Sequence, residues 1–212
     1  MKQTNNMKER FTRLSVNCNY YAADYATDIQ QNIHETFSGF DHLRMIYDFC
    51  HKTTCAYGVF CENDIYIHTD IKPMLPKILC DFNLLSLDIL LLGYLTPFLV
   101  DESVAKYGFS FKRETSGRSK YMYHNYPDTL IGTQMYILSR KHAMYILDKY
   151  YDTYIGAIAK NEVEHLSASN LLLTNSASRA LISPPLACVK DVNNVELHIK
   201  SMRAHYNKAE FI

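Results

Sequence analysis

The sequence predicts an α/β fold in a single domain, residues 1–212, with a mostly parallel sheet flanked by helices. Three observations predict it. An unbroken apolar run at 59–61 and largely apolar stretches at 87–92 and 131–138 are bounded by polar residues or glycine, as strands buried on both faces are. Segments of helical period at 38–50, 72–82 and 140–151 alternate with those runs. A helix set between two apolar strands, as 72–82 is, marks a βαβ unit and hence a parallel sheet.

Residues 1–6 are polar, 7–14 (MKERFTRL) suit two helical turns, and 16–24 (VNCNYYAAD) read as a short strand running into a loop. From 38 to 50, Phe40, Leu43, Ile46, Tyr47 and Cys50 fall on one helical face, with Ser38 in the capping position. His42, in the middle of that helix, reads as a satisfied, partly buried histidine. The run at 59–61 then meets Glu62, Asn63 and Asp64 before Ile65, Tyr66 and Ile67. Two carboxylates therefore stand at a strand's carboxyl end, where open α/β sheets hold their ligands. One residue apart on a tight turn, both can approach one hard cation, Mg²⁺ or Mn²⁺, of the kind that shares substrate phosphates. The plainer alternative is a solvated turn.

Asp70 is placed to cap the next helix, with Pro73 and Pro76 near its first turn and Ile71, Leu75, Ile78, Leu79 and Phe82 facing inward. The following strand closes on Gly93 and Tyr94; the glycine either admits a close neighbour or simply bends the chain. Between 96 and 122 the apolar period is lost, and Pro97, Gly108, Gly117 and the run KRETSGRSK mark an exposed excursion. Its cations, Lys112, Arg113, Arg118 and Lys120, either meet an acidic group or form a solvated surface. YMYHNY (121–126) suits an edge strand. Ile131 to Leu138 is a glycine turn entering a buried strand, and Ser139 caps the helix RKHAMYILDKYY, whose inward residues are Ala143, Ile146, Leu147 and Tyr150. Helical character returns at 155–165 and in SASNLLLT; RALIS (179–183) is strand-like, and LACV continues as an edge.

Lys plus Arg and Asp plus Glu balance at 22 each, so no global charge steers the chain to nucleic acid or an anionic membrane. Seventeen Tyr and ten Phe supply aromatic surface without any Trp. The six cysteines lack zinc spacing and read as free thiols of a reducing compartment. No signal peptide is recognised, and the apolar stretch LLSLDILLLGYL is interrupted by Asp88 and closed by Gly93, so no membrane span is expected. These features together predict a cytoplasmic protein.

CENDI (61–65), LLLGY (90–94) and IGTQMYILSR (131–140), in that order within roughly 37–212, resemble the glycosyltransferases of family 25. This is the lipopolysaccharide and procollagen galactosyltransferase type, and the likeness is greatest to a short variety found in large DNA viruses. There CENDI usually reads Glu-Asp-Asp, and the third block reads Gly-Thr-x-x-Tyr-x-(Ile/Leu)-Ser-Arg. The resemblance implies a GT-A-like domain in which 1–36 is divergent or truncated, with the first strand lacking or reduced, and 96–122 is a variable acceptor-side loop. It implies inverting transfer of a sugar from a UDP-sugar, UDP-galactose or UDP-glucose, to a hydroxyl of a glycan or glycoprotein. A virion or host-cytoplasm location follows from the viral likeness.

The same resemblance implies site roles. Glu62 and Asp64 would bind Mn²⁺ or Mg²⁺, with His198 of the histidine-bearing tail as a third ligand. Asn63, Gly93, Tyr94, Gly132 and Thr133 would line the donor site, and the base would be Asp128, then Glu164, then Asp88. Three departures count against activity: Asn63 for the usual middle Asp, Asn170 for another acid that Asn cannot replace by ionising, and the reduced opening strand. Two alternatives stay open: a degenerate transferase working in glycan binding or assembly, and an unrelated α/β module whose Glu62–Asp64 turn is only surface.

Overall fold

The computed structural model describes residues 2–19, 34–112, 121–160, 168–173, 178–190 and 196–212. Helix α1 (Lys2–Arg13) is followed by α2 (His34–Lys52), strands β1 (Tyr57–Cys61) and β2 (Ile65–Ile67), α3 (Ile71–Leu84) and β3 (Ile89–Leu95). A 3-10 turn, Glu102–Tyr107, leads to β4 (Ser110–Lys112), β5 (Met122–Asn125) and β6 (Ile131–Ser139). The chain closes with α4 (Arg140–Lys160), α5 (Ala168–Leu173), β7 (Arg179–Ser183), β8 (Ala187–Val189) and α6 (Glu196–His205).

Six strands make the main sheet in the order β1-β6-β3-β7-β5-β4, while β2 and β8 pair separately. Only β3 and β7 are parallel neighbours; the other four pairings are antiparallel. The expected mostly parallel sheet is thus corrected to a mixed, mostly antiparallel one. Two of the four antiparallel pairings come from one insertion. β1 and β3 do run in the same direction, as the helix between them predicts, but β6 lies between them and opposes both, so that Tyr136 is the partner of Phe60 on one side and Leu91 on the other.

Helices cover both faces of the sheet. On one, Leu43 and Ile46 of α2, Ala143 and Ile146 of α4 and Leu171 to Leu173 of α5 pack on Ile89, Leu91, Tyr136 and Leu138. On the other, Met7 and Phe11 of α1 and Ile71, Ile78 and Phe82 of α3 join the small sheet over Leu90, Leu92 and Ile137. This two-sided cover is why ILLLGYL is buried at every position. Tyr123 and Asp81 join β5 to α3 by a 2.8 Å hydrogen bond in which the tyrosine donates. The C-terminal tail extends the small sheet: Ile67 and Ile212 exchange backbone hydrogen bonds of 3.0 and 2.9 Å.

Several local expectations change. β1 is an edge strand with one open face, so Val59 is 43% exposed rather than buried. β5 is not an edge, because β4 pairs outside it, and LACV leaves the main sheet to pair with β2. Ser38 lies inside α2, which starts four residues earlier, and Tyr47 points outward. Asp70 holds the N-cap position of α3 without a side-chain capping bond, and Pro76 falls inside the helix, past its first turn. The segments 155–165 and 140–151 merge, as far as residue 160, into one helix. All six cysteines are free. Among the described residues no helix is long and apolar enough to cross a membrane.

Candidate functional site at the carboxyl end of β1

Glu62 follows β1 directly, and its N–H donates to the Gln134 carbonyl at 2.9 Å, which fixes the turn against β6. Its carboxylate is held from two further directions. His42, on the inner face of α2, brings Nε2 to 2.8 Å of Oε1, and the Thr133 hydroxyl donates to the same oxygen at 3.2 Å. Burial alone would raise the Glu62 pKa, but the His42 charge and the hydrogen bonds from His42 and Thr133 outweigh it, so the carboxyl is held below its ordinary value. Glu62 therefore stands ionised at neutral pH, one oxygen saturated, the side chain one-third exposed at 32%.

Behind the carboxylate the chain of contacts runs into the core. His42 Nδ1 lies 2.7 Å from the Tyr136 hydroxyl. Burial first, and then the Glu62 charge, push that phenol well above its ordinary pKa, so it keeps its proton. With Glu62 only accepting, Nε2 donates to it, and in the neutral tautomer the tyrosine donates to Nδ1. Phe60 stacks on Tyr136 with ring centroids 5.2 Å apart, completing the wall.

The expected site residues divide by position. Glu62, Asn63, Asp64, Gly132 and Thr133 come to one end of the sheet, Asn63 exposed and Asp64 half-buried on the turn into β2. The Asp64 carbonyl accepts from the Lys190 N–H at 2.9 Å, so this residue already belongs to the small sheet. Gly93 and Tyr94 reach the same end of β3 but are enclosed. A Cβ at Gly93 would lie 2.8 Å from the Ala187 Cβ and 2.9 Å from its carbonyl, so the close neighbour at this glycine is β8. Tyr94, 1% exposed, donates to the Ile182 carbonyl at 3.1 Å and serves the core.

Asp88 lies at the opposite end. Asp88 precedes β3, its N–H on the Ser178 carbonyl at 2.7 Å and its carbonyl accepting from Ser139 at 3.0 Å. Asp128, 72% exposed, pairs with Arg179 at the start of β7. Five residues of β6, about 17 Å of strand, separate the Ser139 level from the Gln134 level where Glu62 docks. Asp88 is therefore remote from Glu62, and Asp128 is engaged with Arg179. Glu164 lies outside the described residues, as do Arg113, Arg118 and Lys120 and the side chains of Asn170 and His198; the His198 backbone belongs to α6.

The donor set fits a hard cation only in part. Glu62 offers its second oxygen and Asp64 a carboxylate two positions on, while among the described residues no group of three or more His, Cys, Asp or Glu could hold a metal ion. Two carboxylates with the remaining positions taken by phosphate and water is an arrangement that Mg²⁺ accepts. A separate cleft of about 280 Å³, lined by Asp101, Val104, Ala105, Phe109, Phe111 and His124, contains none of the expected residues. The residues that sequence reasoning left out of the site are Gln134 and Tyr136, inside the third block, and His42; the block's fixed Tyr was the available signal for one of them. No protein-family model matches the chain, and no curated protein matches it.

Proposed function

We propose that the protein is a glycosyltransferase-like enzyme that takes a nucleotide-sugar at the Glu62 end of the sheet and passes the sugar to a glycan or protein hydroxyl. One observation carries the reading: a carboxylate kept ionised at a strand's carboxyl end by a buried histidine and by the threonine of the Gly132–Thr133 turn. Glu62 through its free oxygen, together with Asp64, would hold Mn²⁺ or Mg²⁺. That cation supplies Lewis-acid neutralisation of the leaving diphosphate. Asn63, exposed between the two acids, offers an amide to a ribose or sugar hydroxyl. His42 and Thr133 keep Glu62 from turning away.

A second reading, glycan binding or assembly without transfer, is favoured by the distance of Asp88 from Glu62 and by the pairing of Asp128 with Arg179, which leave neither carboxylate placed as a free base beside Glu62. Two measurements decide. Saturating UDP with Mn²⁺ raises Tm by about 5 °C or more, as expected for ligand at a hundred times its Kd, and Glu62→Ala and Asp64→Ala abolish the rise. Hydrolysis or transfer from UDP-glucose or UDP-galactose then separates enzyme from binder. No response to any nucleotide or nucleotide-sugar with Mn²⁺ ends the donor-site reading.

A further inference from the structure

Gln134 is the residue at the Glu62 end whose side-chain chemistry the fold leaves unused. Its carbonyl accepts the Glu62 N–H. Its side-chain Oε1, by contrast, is buried with no hydrogen-bond partner among the described residues, in a residue 7% exposed. A buried amide oxygen left unmet carries a full desolvation penalty, and native structures keep few of them.

The backbone makes room for this amide. Gly132 has φ +111°, and a Cβ there would fall 2.4 Å from Gln134 Oε1 and 2.9 Å from the Leu95 nitrogen. Any side chain at 132 would collide with the amide and strain the turn. On either side, Ile131 is half exposed and Thr133 donates to Glu62, so Gln134 stands one residue along β6 from the threonine that holds the carboxylate.

We infer that Gln134 is a ligand-contacting, specificity-setting residue of the Glu62 site, whose amide takes a hydroxyl of a sugar ring. An amide offers one acceptor and one donor face, and a hydroxyl is the ligand group that uses both. A phosphate would use only the donor and would meet the Glu62 charge nearby. The inference rests on the nucleotide-sugar reading above and names which part of that ligand is read, the sugar and not the diphosphate.

The test compares the full chain with Gln134→Met, which keeps the length of the side chain and needs no partner. Tm is measured without ligand, and calorimetry measures binding of UDP-glucose, UDP-galactose and UDP alone, each with Mn²⁺. The variant keeps or gains Tm, binds one or both UDP-sugars about tenfold more weakly, and binds UDP within about twofold of wild type. UDP-sugar affinity equal to wild type overturns the inference, because the amide then touches no sugar. Loss of several degrees in both Gln134→Met and Gln134→Leu overturns it too, because the amide then has a structural partner. If the wild-type protein binds none of the three, the nucleotide-sugar reading has failed and takes this inference with it.

Discussion

His42 is 1% exposed and commits both ring nitrogens, Nδ1 to Tyr136 and Nε2 to Glu62. Read alone, position 42 is one polar residue on an apolar helix face, and its reading as a satisfied histidine holds. Its partners were not legible, because Glu62 is twenty positions away and Tyr136 ninety-four, and they meet only when α2 lies over β1 and β6. Deleting the imidazole strands a buried hydroxyl and strips a half-buried carboxylate of its Nε2 partner. His42→Ala should therefore cost about 3 kcal/mol and Tyr136→Phe about 1 kcal/mol. Because each change removes the same contact, the double mutant should fall short of additivity by about 0.5–1 kcal/mol in urea unfolding. Full additivity would mean that the ring only packs against Tyr136 and exchanges no hydrogen bond with it.

At the scale of elements, β6 explains why one block of sequence carried so much of the reading. Gly132 makes the turn, Thr133 and Tyr136 serve Glu62 and His42, the Ser139 hydroxyl caps α4 by accepting the His142 N–H at 3.2 Å, and Arg140 closes the end of α2. The Arg140 guanidinium donates to the carbonyls of Cys50, Thr53 and Cys55 at 2.9, 2.9 and 2.7 Å and lies 4.6 Å from the Phe49 ring centroid. These are the unpaired carbonyls of a helix terminus, and a planar fork reaches several at once where an ammonium reaches one. Arg140→Lys should cost about 2 kcal/mol, with Arg140→Ala little worse; full stability in the lysine variant would show that charge alone suffices. Strand positions were legible here because burial forces apolar text. Strand order was not. Whether β6 pairs beside β3 or between β1 and β3 leaves its own pattern unchanged, since in either place both faces are covered. The same limit explains Asp88: an acid beside an apolar run does not reveal which end of the finished sheet it occupies.

Over the whole molecule, the C-terminal segment folds back onto the carboxyl end of β3. Ser201 reaches the Tyr94 carbonyl at 3.5 Å, and His205 lies against the Tyr94 ring with its Nε2 2.8 Å from the Thr96 hydroxyl. That hydroxyl donates to the Phe98 carbonyl at 2.8 Å, so it accepts from Nε2–H. Desolvation by burial, opposed only by the Thr96 hydrogen bond, lowers the His205 pKa from 6.5 to about 4. The sign follows from which state binds the proton. Above pH 6.5 neither the folded nor the unfolded chain protonates this ring, and its contribution to stability is constant. As pH falls below 6.5 the unfolded chain takes up a proton that the folded one refuses, and stability drops until the folded ring also protonates near pH 4. His142, its pKa likewise lowered by burial, acts in the same direction, whereas the depressed Glu62 carboxyl loses its contribution only at lower pH, below the ordinary glutamate value. Between pH 7.5 and 4.5 His205 alone should remove about 2 kcal/mol from the unfolding free energy. His205→Phe, less stable at neutral pH for want of the Thr96 bond, should lose correspondingly less over that interval, so the two curves of urea midpoint against pH converge on acidification. Parallel curves would mean that the ring titrates normally in the folded chain, and hence that the tail does not seal the end of β3 from water.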